Sequence, residues 1–159
     1  MLANKEFYDE ARAEFLKVLQ HYPDHLYTYE SLSSMEMYIH DPVAARTVLQ
    51  KFFSKELKPE HKILKVMLES NQERLKSDIS DEESKVIREE LIDTHLQLYT
   101  FDRQWSHFLE AGRLSLLNGN EEAAKEHLKE LVEQEGVPAD ISVKATSQLK
   151  KLRQKDNSI

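Results

Sequence analysis

Apolar residues recur at spacings of three and four along almost the whole chain, which is the pattern of amphipathic helices. In residues 3–21, for example, Phe7, Ala11 and Phe15 fall on one stripe. No alternation of period two persists over the length of a strand. The chain has only 3 glycines and 4 prolines in 159 residues, fewer turn residues than a loop-rich all-β fold requires. The pattern predicts an all-α protein.

Helix boundaries follow from local signals. Pro23 ends the first helix, because the residue before a proline is pushed out of the α region. Asp41 followed by Pro42 is typical of an N-cap with proline at the first helical position. Residues 118–120, Asn-Gly-Asn, predict a turn, since glycine and asparagine accept positive φ. Together these signals predict eight short helices in an antiparallel up-and-down architecture.

The last predicted helix spans residues 140–153. Lysines surround its narrow apolar stripe, which is the pattern of a capping helix that ends a helical stack in water. No low-complexity linker divides the chain. We therefore predict a single helical-repeat domain over residues 1–153 and a frayed tail over residues 154–159.

A short motif repeats along the chain. A small residue followed by bulky apolar residues four and seven positions later occurs three times: Ala11, Phe15 and Val18; Ala45, Leu49 and Phe52; Ala124, Leu128 and Leu131. Positions 11 and 45 are 34 residues apart, and positions 45 and 124 are 79 apart, which is two periods plus 11 extra residues. The extra residues fit a lengthened turn around residues 71–82, which are polar and highly charged.

This motif resembles the tetratricopeptide repeat (TPR), a 34-residue helix-turn-helix unit. In that family a small residue near the start of the second helix lets the two helices approach closely, and the three alanines match it. The resemblance is good over residues 8–53 and 105–135 and weak over residues 60–100. It implies roughly three helical hairpins plus the capping helix, and a role as a protein-binding adaptor. The alternative that the residues leave open is a helical bundle without repeats.

If the helices pack as in that family, one face of the second, fourth and sixth helices lines a concave groove. We predict that this groove binds an extended or helical segment of a partner protein, with Tyr27, Met37 and Tyr38 as apolar anchors. The predicted partner-binding residues are Tyr27, Glu30, Ser34, Met37, Tyr38, His61, Leu109 and Arg113. The matching positions on the fourth helix also include Leu64 and Leu68. The alternative for each residue alone is packing against a neighbouring helix.

Signatures of catalysis are missing from the sequence. With 3 glycines there is no glycine-rich phosphate loop, and the absence of cysteine excludes disulfides, thiol nucleophiles and Cys-zinc sites. No histidine follows a glutamate by three residues, as a di-iron helix requires. Surface or boundary positions are expected for all of the histidines: His21, His25, His40, His61, His95, His107 and His127. The chain is predicted to be non-enzymatic, without metal or cofactor.

Charge and hydropathy limit the classes of partner that this chain is expected to bind. The formal net charge of −7 disfavours a general phosphate-binding role. Residues 140–159 are locally basic, which leaves nucleic-acid contact as the least favoured alternative. No apolar run is long enough for a membrane helix or a signal-peptide core, so no membrane partner is expected and the cytoplasm is the default location.

The N-terminal segment suggests another alternative. Residues 5–22 resemble the second helix of a repeat unit with no first helix before it. An apolar flank left open there would favour self-association. The chain would then be a self-assembling structural or regulatory subunit.

Overall fold

The structure, a computed structural model, describes the backbone of residues 2–157 and the side chains of residues 4–154. Within that part of the chain there are eight α-helices and no strands. The helices are α1 (Leu2–His21), α2 (Leu26–Tyr38), α3 (Pro42–Ser54), α4 (His61–Leu75), α5 (Asp81–Asp102), α6 (Ser106–Leu117), α7 (Glu121–Glu133) and α8 (Ala139–Asn157). The predicted all-α class is confirmed.

The chain divides into two compact units, Met1–Ser77 with α1 to α4 and Asp78–Ile159 with α5 to α8. In the first unit α2 packs on α1, α3 and α4, and in the second α6 packs on α5, α7 and α8. The two units thus share one pattern of helix contacts, in which the second helix of the unit touches the other three. The single domain over residues 1–153 stays a prediction, and the weakly matching repeat over residues 60–100 is divided between the units.

Each unit has its own apolar core. Both cores are built from the residues that the helical periodicity places on one face of each helix. The buried core of the first unit contains Leu19, Tyr29, Leu32, Leu49, Phe52, Ile63, Val66 and Met67. The buried core of the second unit contains Phe108, Ala124, Leu128, Leu131, Ala145, Leu149 and Leu152.

The turns that follow α2 and α6 have the same main-chain geometry. His40 has φ 61° in the first turn and Gly119 has φ 75° in the second. Asp41 and Asn120 then cap α3 and α7, and each side chain accepts a hydrogen bond from the amide three residues later at 3.0 Å. The main-chain bonds match: the amides of Ile39, His40 and Asp41 donate to the carbonyls of Met35, Met37 and Glu36, and those of Asn118, Gly119 and Asn120 donate to Leu114, Leu116 and Ser115. The predicted cap at Asp41 and the predicted turn over residues 118–120 are confirmed.

Small residues are buried on the facing helices of both units. Ala45 on α3 and Ala124 on α7 have no exposed surface, as expected for the small position of the repeated motif. Gly112 on α6 faces Leu128 on α7, and a Cβ atom at Gly112 would lie 2.9 Å from Cγ of that leucine. A side chain at Gly112 would therefore force α6 and α7 to move or Leu128 to change its position.

The C-terminal helix ends later than the sequence indicates. α8 continues to Asn157, beyond the predicted end at residue 153. Residues 154–157 contain neither glycine nor proline, so this segment holds no residue that interrupts a helix. The frayed tail over residues 154–159 stays a prediction, and residues 158 and 159 lie outside the described residues.

Candidate partner-binding site

A cavity of about 290 Å³ lies between α2 and α4 in the first unit. It is lined by Ser34, Met37 and Tyr38 of α2 and by Val66 and Glu69 of α4, and we call it the α2/α4 cavity. The residues of α2 share one face because they lie three and four positions apart on the helix. The structure therefore brings three of the predicted partner-binding residues together.

The α2/α4 cavity has an apolar base and a polar rim. Val66 is only 7% exposed, and Met37 packs partly against the core of the first unit. Tyr38 stands at the rim with 73% of its surface exposed, and its ring lies 6.0 Å from the ring of Tyr8 on α1. Glu69 is an exposed carboxylate on the opposite wall. Such a site suits an apolar side chain that is flanked by polar groups.

Glu30 lies one turn before Ser34 on α2, but it is buried. Its exposed fraction is 4%, and its Oε1 atom has no hydrogen-bond partner within the described residues. Burial raises the pKa of the carboxyl group, while nearby Lys62 lowers it and Glu60 raises it further. An unpaired buried acceptor is costly. Because Glu30 is buried and does not line the cavity, its role in binding stays a prediction.

The other predicted residues of the first unit lie outside the α2/α4 cavity. Tyr27, near the start of α2, is 64% exposed. His61 is half-buried and is the first residue of α4. Neither side chain lines the cavity, and their role in binding stays a prediction.

Two predicted residues belong to α6 in the second unit. Leu109 is partly buried and packs against the core of that unit. Arg113 is exposed, and its Nη2 atom donates to Glu110 at 2.8 Å. Their contribution to a groove therefore also stays a prediction.

The sequence did not identify the cavity residues of α4. It assigned Leu64 to the groove, whereas Leu64 has no exposed surface. Ile63, Leu64, Val66 and Met67 are the buried apolar residues of α4, and of these Val66 also lines the cavity, together with Glu69. Their clustering was the available signal, because large apolar residues close together on a helix indicate the side that is packed.

Two histidines for which surface or boundary positions are expected are buried in the second unit. His95 on α5 and His107 on α6 are 6% and 7% exposed, and their Nδ1 atoms are 2.8 Å apart. The other ring nitrogen of His107, Nε2, lies 2.9 Å from Oδ2 of Asp102. The expectation was wrong for both residues. The signal was the position of His95 between Leu91 and Leu98 on the apolar stripe of its helix.

A larger cavity, of about 540 Å³, lies in the second unit between α5, α7 and the turn that joins α6 to α7. Its lining includes Lys85, Glu89, Asp93, Asn118 and His127. None of the predicted partner-binding residues lines it. Its walls carry mainly charged and amide groups, whereas the α2/α4 cavity combines methionine, tyrosine and valine, the residue types that anchor protein segments.

Among the side chains of residues 4–154, no three His, Asp or Glu are placed to share a metal ion. None of the helices described in residues 2–157 combines the length and the apolar character that crossing a membrane requires.

The comparisons with known proteins concern the fold. No protein-family model matches the chain, and no curated protein matches its sequence. A crystal structure of MamA, a TPR-like protein, is similar over 99% of this chain and 95% of that chain, with a TM-score of 0.51 and 17% sequence identity. At this identity the similarity is evidence for the fold alone. With its helical hairpins and recurring turn, the chain therefore has a TPR-like helical repeat fold.

Proposed function

We propose that this chain is a protein-protein interaction module that binds an extended or helical segment of a partner at the α2/α4 cavity. The observation that carries the proposal is the convergence of Met37, Tyr38 and Val66 on one surface cavity. Methionine adapts its shape to different partners, and tyrosine supplies a large contact area with few rotatable bonds.

The size of the cavity favours a side chain as its occupant. Its volume of about 290 Å³ lies at the lower limit of small-molecule pockets, which span roughly 300–1,000 Å³. One or two apolar side chains of a partner segment fill such a volume. The main chain of that segment would then run along the surface between α2 and α4.

The charges around the cavity specify the flanks of that segment. Glu69 lines the cavity, and its carboxylate is exposed. Carboxylates bind Lys and Arg through charge-assisted hydrogen bonds. The partner segment therefore carries an apolar anchor next to Lys or Arg.

Replacing Tyr38 by alanine should weaken the binding of such a segment at least tenfold, which corresponds to about 1.4 kcal/mol or more. The ligand for this test is a peptide selected from a displayed random library on the wild-type chain. Its dissociation constant is measured by fluorescence anisotropy. Circular dichroism checks that each variant remains helical.

Two further tyrosines serve in this test, one as a control and one to probe the extent of the site. Tyr22 is 67% exposed, close to the 73% of Tyr38, but it lies outside the α2/α4 cavity. The Tyr22→Ala variant should bind the peptide within about twofold of the wild type, since exposed residues outside an interface contribute little. Tyr27→Ala tests whether the site extends along α2. If Tyr38→Ala binds as tightly as Tyr22→Ala, the cavity is not the binding site.

A second candidate function is self-assembly through α1. Phe7 and Val18 lie on one face of this helix and are 63% and 36% exposed, which leaves apolar surface for a second copy of the chain. Sedimentation velocity should then show a mass that rises with concentration. A Val18→Asp substitution should abolish the rise, while Val143→Asp on α8 should not. A constant monomer mass at all concentrations would contradict this function.

A further inference from the structure

The second unit contains a hydrogen-bonded chain of three ionisable side chains, two of them buried, that joins α5 to α6. The Nδ1 atoms of His95 and His107 are 2.8 Å apart, and Nε2 of His107 lies 2.9 Å and 3.1 Å from the two carboxylate oxygens of Asp102. Both imidazole rings are more than nine-tenths buried. The chain crosses the hairpin at the end where the two helices are connected, because Asp102 is the last residue of α5.

Hydrogen-bond chemistry limits which nitrogen atoms of the two histidines can carry a proton. A bond between two Nδ1 atoms needs one nitrogen that carries hydrogen and one that is bare. Next to the carboxylate of Asp102, Nε2 of His107 is the donor. At least one of the two rings is therefore neutral in this geometry, and a second proton on the pair removes the bond.

We propose that the His95–His107–Asp102 chain is a pH-sensitive lock, by which we mean a set of hydrogen bonds that holds α5 against α6. The lock is closed while one Nδ1 atom of the histidine pair is bare, and it opens when both rings are protonated. Two imidazolium ions at this distance would repel each other in a buried place that water does not screen. Opening the hairpin hydrates both rings and separates their charges.

The charges that face His95 come from its own helix and from α6, the helix that packs on α5 in this unit. Burial is the largest cause of a lowered pKa of His95, and His107 and Arg113 lower it further. Glu110 and Asp102 act in the opposite direction, and the resulting pKa is about 4. The neutral form of His95 is thus the form that the folded hairpin accommodates.

The sign of the pH effect follows from this preference. A histidine has an ordinary pKa of about 6.5, so between that value and about pH 4 the unfolded chain binds a proton that the folded hairpin excludes. Stability contributed by the closed lock is therefore complete above about pH 7 and decreases as the pH falls.

Trp105 makes the lock observable in the intact chain. It is the only tryptophan, it lies two residues before His107, and its ring is 5.4 Å from that of Tyr99 on α5. Urea unfolding followed by tryptophan fluorescence therefore reports on this hairpin. From about pH 7 to about pH 5, the unfolding equilibrium constant of the wild type should rise about 20-fold.

Replacing His95 by glutamine should remove most of this rise, because glutamine does not titrate. The matched control is His21→Gln, which changes an exposed histidine at the end of α1 and should keep the full rise. A pH dependence in His95→Gln equal to that of the wild type overturns the proposal. Loss of the rise in His95→Gln but not in His21→Gln supports it.

A measurement on the wild type covers the case in which His95→Gln fails to fold. Long-range proton–nitrogen NMR spectra of the imidazoles should show one bare Nδ1 atom in the pair at about pH 7. On acidification, full protonation of both rings should coincide with the loss of the native fluorescence of Trp105. Two fully protonated rings together with native fluorescence would overturn the proposal.

Discussion

Replacing Arg12 by methionine should lower the free energy of unfolding by about 3 kcal/mol. Arg12 of α1 binds Glu36 of α2 in a bidentate manner: its Nε atom donates to Oε1, and its Nη2 atom donates to Oε2 at 3.2 Å. The Glu36 side chain is only 2% exposed, whereas that of Arg12 is 32% exposed. Removing the guanidinium leaves a buried carboxylate without its cation, and this uncompensated charge causes the loss.

A double substitution separates this cause from loss of packing. Replacing both Arg12 and Glu36 by methionine removes the buried charge, so it should restore most of the stability that Arg12→Met loses. Lys17→Met is the control, since Lys17 and Glu14 form an exposed pair whose loss should change stability by less than about 0.5 kcal/mol. Urea unfolding followed by circular dichroism measures each variant. The single variant Glu36→Met is measured as well. If the losses of stability of Arg12→Met and Glu36→Met simply add up in the double variant, the ion pair does not hold α1 on α2.

The second large effect is expected at Leu128 on α7. Leu128→Ala should destabilise the chain by about 3 kcal/mol, because the leucine has no exposed surface and its removal leaves a cavity in the core of the second unit. Leu117→Ala, at a leucine that is 55% exposed on α6, should change stability by less than about 0.5 kcal/mol. Fluorescence of Trp105 during urea unfolding follows both variants.

Gly112 provides a sharper form of this test. In the wild-type background Gly112→Ala should destabilise, since its Cβ atom would lie 2.9 Å from Cγ of Leu128. In the Leu128→Ala background the same change should stabilise by about 1 kcal/mol, because the methyl group has room and alanine favours the helix over glycine. The sign of the effect of Gly112→Ala thus depends on residue 128. Equal effects in both backgrounds would contradict the close contact of α6 with α7.

The fold could be predicted because its signals are local. Helical periodicity, the Asp41-Pro42 start and the turn over residues 118–120 each depend on a few neighbouring residues, and all of them are confirmed. The division into two units could not be predicted in this way, because it depends on which helices contact each other. The end of α8 was missed because residues 154–157 contain neither an apolar residue that would continue the stripe nor a glycine or proline that would end the helix.

The candidate site was predictable only in part. Ser34, Met37 and Tyr38 were identified where the repeat motif is strong, since that motif sets the orientation of α2. Val66 and Glu69 were missed because α4 has no small residue of the motif to set its register. The histidine pair was missed for a different reason. Contact between His95 and His107 requires the chain to reverse after α5, and Arg103 does this in a left-handed conformation with φ 56°.

The packing of each helix on near neighbours in the chain also bears on how fast the protein folds. In both units the contacting helices are adjacent in sequence or separated by a single helix. Closing such short loops costs little chain entropy, and folding is fast in proteins whose contacts are local. We therefore expect that either of the two matching turns can form early, since each joins helices that are adjacent in sequence.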